Sequence, residues 1–246
     1  MTTAGTPSAT AKKLLREINK TIRNVQTNGG KVISVGNDIY EVVVFVRTAK
    51  AINSRFSTNV NYINRTHGVF VARGAPGKIS NQAFSYAAFS ANGKSHEIHL
   101  GITIEGFSGV GHEADISIIN QTECDSARRI GREVTRIQCC LVVECKFYSS
   151  NLSLHIGRGL IGYGMEINGP NLALATNSKC DSIDALLNSY SYVGHILNRH
   201  YVIRYSKEVF ELADYAVYSE FGDTLTLNQK KSYEMFVGNS ILFANY

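Results

Sequence analysis

The chain has 246 residues, 44% hydrophobic and 18% charged, with a formal net charge of +5, which fits one large folded domain and excludes a disordered chain. No apolar run approaches the roughly 18 residues of a membrane span, and "MTTAGTPSATAKKLL" has neither the charged nor the apolar region of a secretory leader. The five cysteines are odd in number and show no CxxC spacing, so reduced thiols in a cytoplasmic protein are expected, not a disulfide framework or a zinc site.

Residues 1–10 are small and polar and read as a tail. A helical pattern follows, with Leu14, Leu15, Ile18, Ile22 and Val25 on one face, closed by "TNGGK". In "GNDIYEVVVFVRTAKAIN" the β-branched density fits a strand. The length, a candidate N-cap at Asn37 or Asp38, and apolar spacing at Ile39, Val42, Val43, Val46, Ala49 and Ile52 fit a helix. Periodicity alone does not decide, and we read a helix. "HGVFVARGAPGKIS" predicts a short strand ending in a Gly-Pro turn region. "FSYAAFS" and "HEIHLGITIEG" predict two strands joined at "NGK", and "EADISIIN" alternates as a further strand. After a polar, Arg-rich stretch at 121–138, the apolar run of "LVVECKFYSS" predicts a core strand.

"LSLHIGRGLIGYGMEI" has helical spacing, but its glycines suit a helix only if something packs closely, either the sheet or a partner copy. "NLALATN" predicts a strand and "SIDALLNSYSYVGHIL" a helix. A strand–helix–strand crossover into "NLALATN" is expected to be parallel, and the shorter connections before it antiparallel. The expected fold class is therefore α/β, a mixed sheet flanked by helices. The division is a helical extension at 1–30, a core at 31–205, and a C-terminal extension packed on the core at 206–246.

Glu144 and Lys146 stand two apart on their strand and so share a face, with Cys145 opposite. If the strands of "GHEADISIINQ" and "LVVECKFYSS" pair as a hairpin, Asp115 faces Glu144. Two carboxylates so placed take up a proton or bind a hard cation, and the Lys146 ammonium relieves part of the charge. Bound Mg²⁺ would lower the pKa of its water and polarise a phosphoryl oxygen, which is equipment for phosphodiester hydrolysis. The bland readings stand beside this one: an exposed Glu144–Lys146 ion pair, an Asp115 that caps a turn, and an exposed helix residue at Glu41.

Asp115 followed by Glu144-Cys145-Lys146 after an apolar strand resembles the signature of the PD-(D/E)xK nuclease superfamily, which includes restriction endonucleases. The order helix, three strands, helix, strand over about residues 37–177 is similar to that fold, and Ala114 departs from the proline of the signature. The resemblance implies a restriction-endonuclease-like core at 31–205. It implies Mg²⁺ held by Asp115, Glu144 and the Cys145 backbone carbonyl, with Mn²⁺ as a substitute. Lys146 is then a catalytic residue and Glu41, on the first core helix, a further carboxylate; His112 and Glu113 either assist there or only line the strand entry. The implied activity is a metal-dependent endonuclease acting on DNA more readily than RNA, in restriction-like antiviral defence or in repair. The alternative is a catalytically silent nucleic-acid-binding or assembly module of the same fold.

Arg128, Arg132 and Arg136 recur at i, i+4 and i+8, a basic stripe for phosphates if the stretch is helical, or a solvated loop offset by Glu123, Asp125 and Glu133. Arg73 and Lys78 in "ARGAPGKIS", and Arg158 after the core strand, are the other candidate nucleic-acid contacts. No separate DNA-recognition motif is visible. One such site per chain suggests a homodimer or a partner protein that supplies specificity; "SYSYVGHILNRHYVIRY" either forms the dimer contact or fills a second layer of the monomer's own core.

Overall fold

The structure, a computed structural model, describes residues 36–186 apart from 65–67, 74, 82–83, 149–151, 168–170, 177–180 and 184, together with Ile18, Ile22 and residues 25–27. The expected boundaries at residues 30 and 205, the C-terminal extension and the aromatic segment at 189–205 lie outside the described residues. Of the first expected helix, Ile18 and Ile22 are described; the Ile22 amide donates to the Ile18 carbonyl at 2.8 Å, and both side chains are buried. Val25, expected on that helix, instead opens strand β1 (Val25–Thr27), which pairs in parallel with β3 (Phe70–Ala72).

The ambiguous stretch is helix α1 (Gly36–Phe56). Its 21 residues exceed any ordinary strand. Thr48 is accommodated because its hydroxyl donates to the Val44 carbonyl at 2.9 Å. After β2 (Asn61–Ile63) come β4 (Tyr86–Ala91) and β5 (Lys94–Glu105), joined by Asn92 and Gly93. Both turn residues have positive φ, 53° and 74°, the conformation that a two-residue hairpin turn demands and that Asn-Gly supplies. β6 (Gly111–Asn120) runs back along β5.

Helix α2 (Gln121–Ile130) starts where the Asn120 side chain accepts from the Thr122 amide at 3.0 Å, and it stops at Gly131 with φ 70°. β7 (Val134–Thr135) and a 3₁₀ turn (Arg136–Gln138) lead into β8 (Cys139–Lys146). Helix α3 (Leu154–Ile167) then crosses to β9 (Asn171–Thr176), parallel to β8.

The main sheet has the order β2-β4-β5-β6-β8-β9, with β7 paired to β5. Its ladders are antiparallel from β2 through β8 and parallel at β8–β9, so the sheet is mixed, as expected. One face packs on α1, burying Phe45, Val46, Leu100, Ile116, Leu141 and Val143 in one cluster. A second cluster, with Cys124 and Ala127 of α2 and Leu160 and Ile167 of α3, covers Ile102, Ile104, Ala114 and Val142. The glycines of α3 divide. A Cβ at Gly157 would come within 3.2 Å of Ile183 and Leu186, whereas Gly159 and Gly162 have open space around them. No helix among the described residues is long and apolar enough to cross a membrane.

One irregularity positions the site. Residues two apart on a strand normally share a face. On β5, however, Leu100 belongs to the first cluster and Ile102 to the second; on β6 the change falls between Ile116 and Ala114. Between them the Gly101–Asp115 pair is missing from an otherwise continuous ladder. Gly101 is left-handed at φ 53°, with Arg73 packed where its Cβ would be. Asp115 therefore sits at the break in the ladder.

Candidate active site

The β6–β8 ladder ends with Ile116 paired to Val143, and Asp115 and Glu144 are the next residues on the two strands. The Asp115 Oδ2 accepts the Cys145 amide at 2.6 Å. Glu144 and Lys146 form an ion pair at the end of β8, both partly exposed. Their face is opposite that of Cys145, whose side chain lies in the α1 cluster. Burial pushes the Cys145 thiol well up, with the charge of Asp115 adding to it; it is a core group and not a nucleophile.

Negative charge has accumulated here. Asp115, 6% exposed, is pushed up to about 7 by burial and then by Glu144, although the Cys145 amide and Lys146 pull it down. Glu41 of α1 is pushed up to about 8 by burial first, then by Asp115, Asp38 and Glu113. Burial also raises Asp38, and burial followed by Glu144 raises Glu113. Burial opposes the Lys146 charge, but Glu144 and Asp115 outweigh it and raise its pKa. These carboxylates exceed what one ammonium neutralises, so protons or a hard cation must make up the difference. The donor set is all oxygen, which suits Mg²⁺ or Mn²⁺.

The α3 helix fixes the entry to β6. The Tyr163 hydroxyl donates to the Glu113 carbonyl at 2.6 Å. The Glu166 carboxylate accepts from the Ser108 amide at 3.1 Å and hydroxyl at 2.7 Å, with His112 Nε2 3.4 Å away. The Phe107 amide donates to the Glu166 carbonyl at 2.7 Å. His112 thus faces α3, while Glu113 adds charge beside Glu144.

The structure thus brings Asp115, Glu144, Lys146 and Glu41 into one electrostatic group and disperses the expected cations. The stripe of Arg128, Arg132 and Arg136 does not form, because α2 ends at Gly131 and Arg136 falls on the 3₁₀ turn. Arg128 Nη1 donates to Glu97 Oε1 at 2.9 Å, and its Nη2 pairs with the other oxygen. Arg132 is bidentate to Glu123 at 2.7 and 2.8 Å. Arg73 is turned inward, 7% exposed. Lys78 and Arg158 are exposed.

Sequence reasoning missed a buried cluster on β5. Glu97, His99 and Cys124 are the only residues among those described whose metal-type donor atoms gather three within 4.8 Å of one another. The spacing suits a metal ion, but both Glu97 oxygens already receive Arg128, which occupies the cation's place. The cluster is not a cysteine nucleophile with its base either. The same His99 Nε2 meets Glu97 at 2.8 Å and the Cys124 Sγ at 3.8 Å, and burial raises the thiol. The legible signal was Glu97-x-His99, two polar residues sharing one face of a core strand; the pairing with Arg128 needed the docking of α2. No family model, no curated protein and no solved structure matches the chain.

Proposed function

We propose that the chain is a divalent-metal-dependent endonuclease with a restriction-endonuclease-like core, acting on DNA in preference to RNA. The observation that carries the reading is the apposition of Asp115 and Glu144 at a break in the sheet, with Lys146 paired to Glu144 and more carboxylate charge than that lysine neutralises. The element order helix, antiparallel strands, helix, parallel strand supports it.

Asp115, Glu144 and the Cys145 backbone carbonyl would hold Mg²⁺ or Mn²⁺, which supplies an activated water and polarises the scissile phosphoryl group. Asp115 is pre-oriented for this by the Cys145 amide. Lys146 places an ammonium where negative charge grows on the phosphoryl oxygens in the transition state. Glu41, kept protonated in the metal-free site by burial and by Asp115, would release its proton when a cation enters and then take one from the attacking water. Exposed Lys78 and Arg158 are the cations left to meet the strand backbone.

The test is plasmid cleavage with Mg²⁺, Mn²⁺ or EDTA, run beside Lys146→Ala. Cutting with either metal, none with EDTA, and a loss of about 10²-fold or more in the variant are expected. Cutting that survives EDTA, or an undiminished Lys146→Ala, refutes the assignment. DNA binding without cutting makes the chain the silent module instead.

A further inference from the structure

The turn between β5 and β6 is held firmly, and what it holds is in water. The Gly106 amide donates to the Val110 carbonyl at 2.8 Å and the Gly109 amide to the Gly106 carbonyl at 3.2 Å. From α3, the Glu166 carbonyl accepts the Phe107 amide, and its carboxylate accepts the Ser108 amide and hydroxyl. A Cβ on Gly106 would come within 2.8 Å of that carboxylate and of the His112 ring, so the packing leaves no slack. Yet Phe107, the residue so fixed, is 73% exposed. An aromatic ring stabilises a fold by leaving water, and a rigid turn that keeps one in water is prepared for a contact.

Its neighbours define the partner. Val110 of the same turn, Met165 beside Glu166, and Ile137 are exposed as well. The pairing of Thr135 with Glu105 brings Arg136 to this end of the sheet, and its guanidinium lies 5.4 Å over the Phe107 ring. The Glu133 carboxylate stands 3.1 Å from where a Gly111 Cβ would be. That carboxylate repels a phosphate, and burying it with Arg136 against an apolar protein face would be costly. A flat ring with a guanidinium beside it is what a nucleobase stacks on. The Asp115–Glu144 site is at the same end of the sheet. One turn before Glu166, the Tyr163 hydroxyl holds the Glu113 carbonyl. Asp115 lies four strand positions from Gly111, about 14 Å at the usual rise, which matches about four base steps at about 3.4 Å each.

We propose that the β5–β6 turn is a stacking platform for one unpaired nucleobase, with Phe107 as the platform and Arg136 beside it. The inference rests on the nuclease reading and narrows its substrate to DNA with an unpaired base a few steps from the cut, such as a mismatch or a flap, over perfect duplex.

The test is binding with Ca²⁺ in place of Mg²⁺, so that no cutting is needed. The probe is a DNA duplex that carries the fluorescent base aminopurine, either at a mismatch or fully paired, which keeps the phosphate charge the same. The mismatched duplex is expected to bind about tenfold more tightly and its aminopurine to be quenched by stacking. Phe107→Ala should weaken that binding by about tenfold to a hundredfold and remove the quenching. Phe107→Leu, apolar but without a π face, should do the same, and Phe107→Trp should restore both. Phe107→Ala should melt within about 2 °C of the wild type, as a surface change does. Phe107-dependent stacking in a chain that never cuts upholds the platform and refutes only the nuclease reading. Binding and quenching unchanged in Phe107→Ala overturn the platform and leave that reading in place. Three further results overturn the platform. One is no binding of either duplex. Another is a Tm loss above about 5 °C in Phe107→Ala, which puts the ring in the chain's own core. The third is a wild type and Phe107→Leu that sediment as a dimer while Phe107→Ala is a monomer, which gives the face to a second copy.

Discussion

Replacing Asp115 by Asn is expected to abolish cutting and yet stabilise the metal-free protein. The free carboxyl ionises near 3.8, and in the fold burial and then Glu144 push it up to about 7. Between those values the folded chain holds a proton that the unfolded chain has released, so stability falls as pH rises from about 4 to about 7 and stays low above. A shift of about three pH units at about 1.36 kcal/mol each bounds the penalty near 4 kcal/mol at pH 8. Side-chain relaxation and the sharing of charge with Glu144 cut this to about 2 kcal/mol, or a Tm rise of about 4–8 °C on substitution. Asn keeps an oxygen for the Cys145 amide, so the hydrogen bond at 2.6 Å survives. Thermal unfolding in EDTA at several pH values is the assay. The gap should be largest near pH 8, shrink toward pH 5, and close when Mg²⁺ stabilises the wild type alone. A variant less stable than the wild type at pH 8, or a wild-type Tm that does not fall between pH 5 and 8, refutes the reasoning.

Arg128→Met leaves the fully buried Glu97 without its cation and should destabilise by about 3–5 kcal/mol in urea unfolding. Adding Glu97→Leu should recover most of that; a single variant within about 1 kcal/mol of wild type would show the pair to be dispensable. Phe45→Ala opens the α1 cluster, where the Phe45 ring meets the Phe70 ring at a tilt with centroids 5.3 Å apart, and should cost about 3–5 kcal/mol by the same measurement. A loss below about 1 kcal/mol would mean that α1 does not anchor the sheet.

Much of this protein could be read from local pattern. The Asn92–Gly93 turn was legible because few residue pairs tolerate two successive positive φ values. The alternation of "EADISIIN" and the apolar run before Glu144 announced β6 and β8, and antiparallel pairing then predicts Asp115 opposite Glu144 with no knowledge of the rest of the chain. The length of α1 settled what its β-branched residues left open. Gly131 was also legible as a helix stop, and reading it so would have broken the arginine stripe at once.

Other features existed only after the elements met. The interaction of Glu41 with Asp115 requires α1 to lie on the sheet, which no period in the sequence encodes. Arg128 reaches Glu97 across 31 positions, and Arg73 is buried because Gly101 leaves room for its stem. Backbone periodicity is a property of neighbours in the chain, and the sequence carries it at every point. The environment of a charge depends on which distant surfaces exclude water from it, and that is decided only when the layers close.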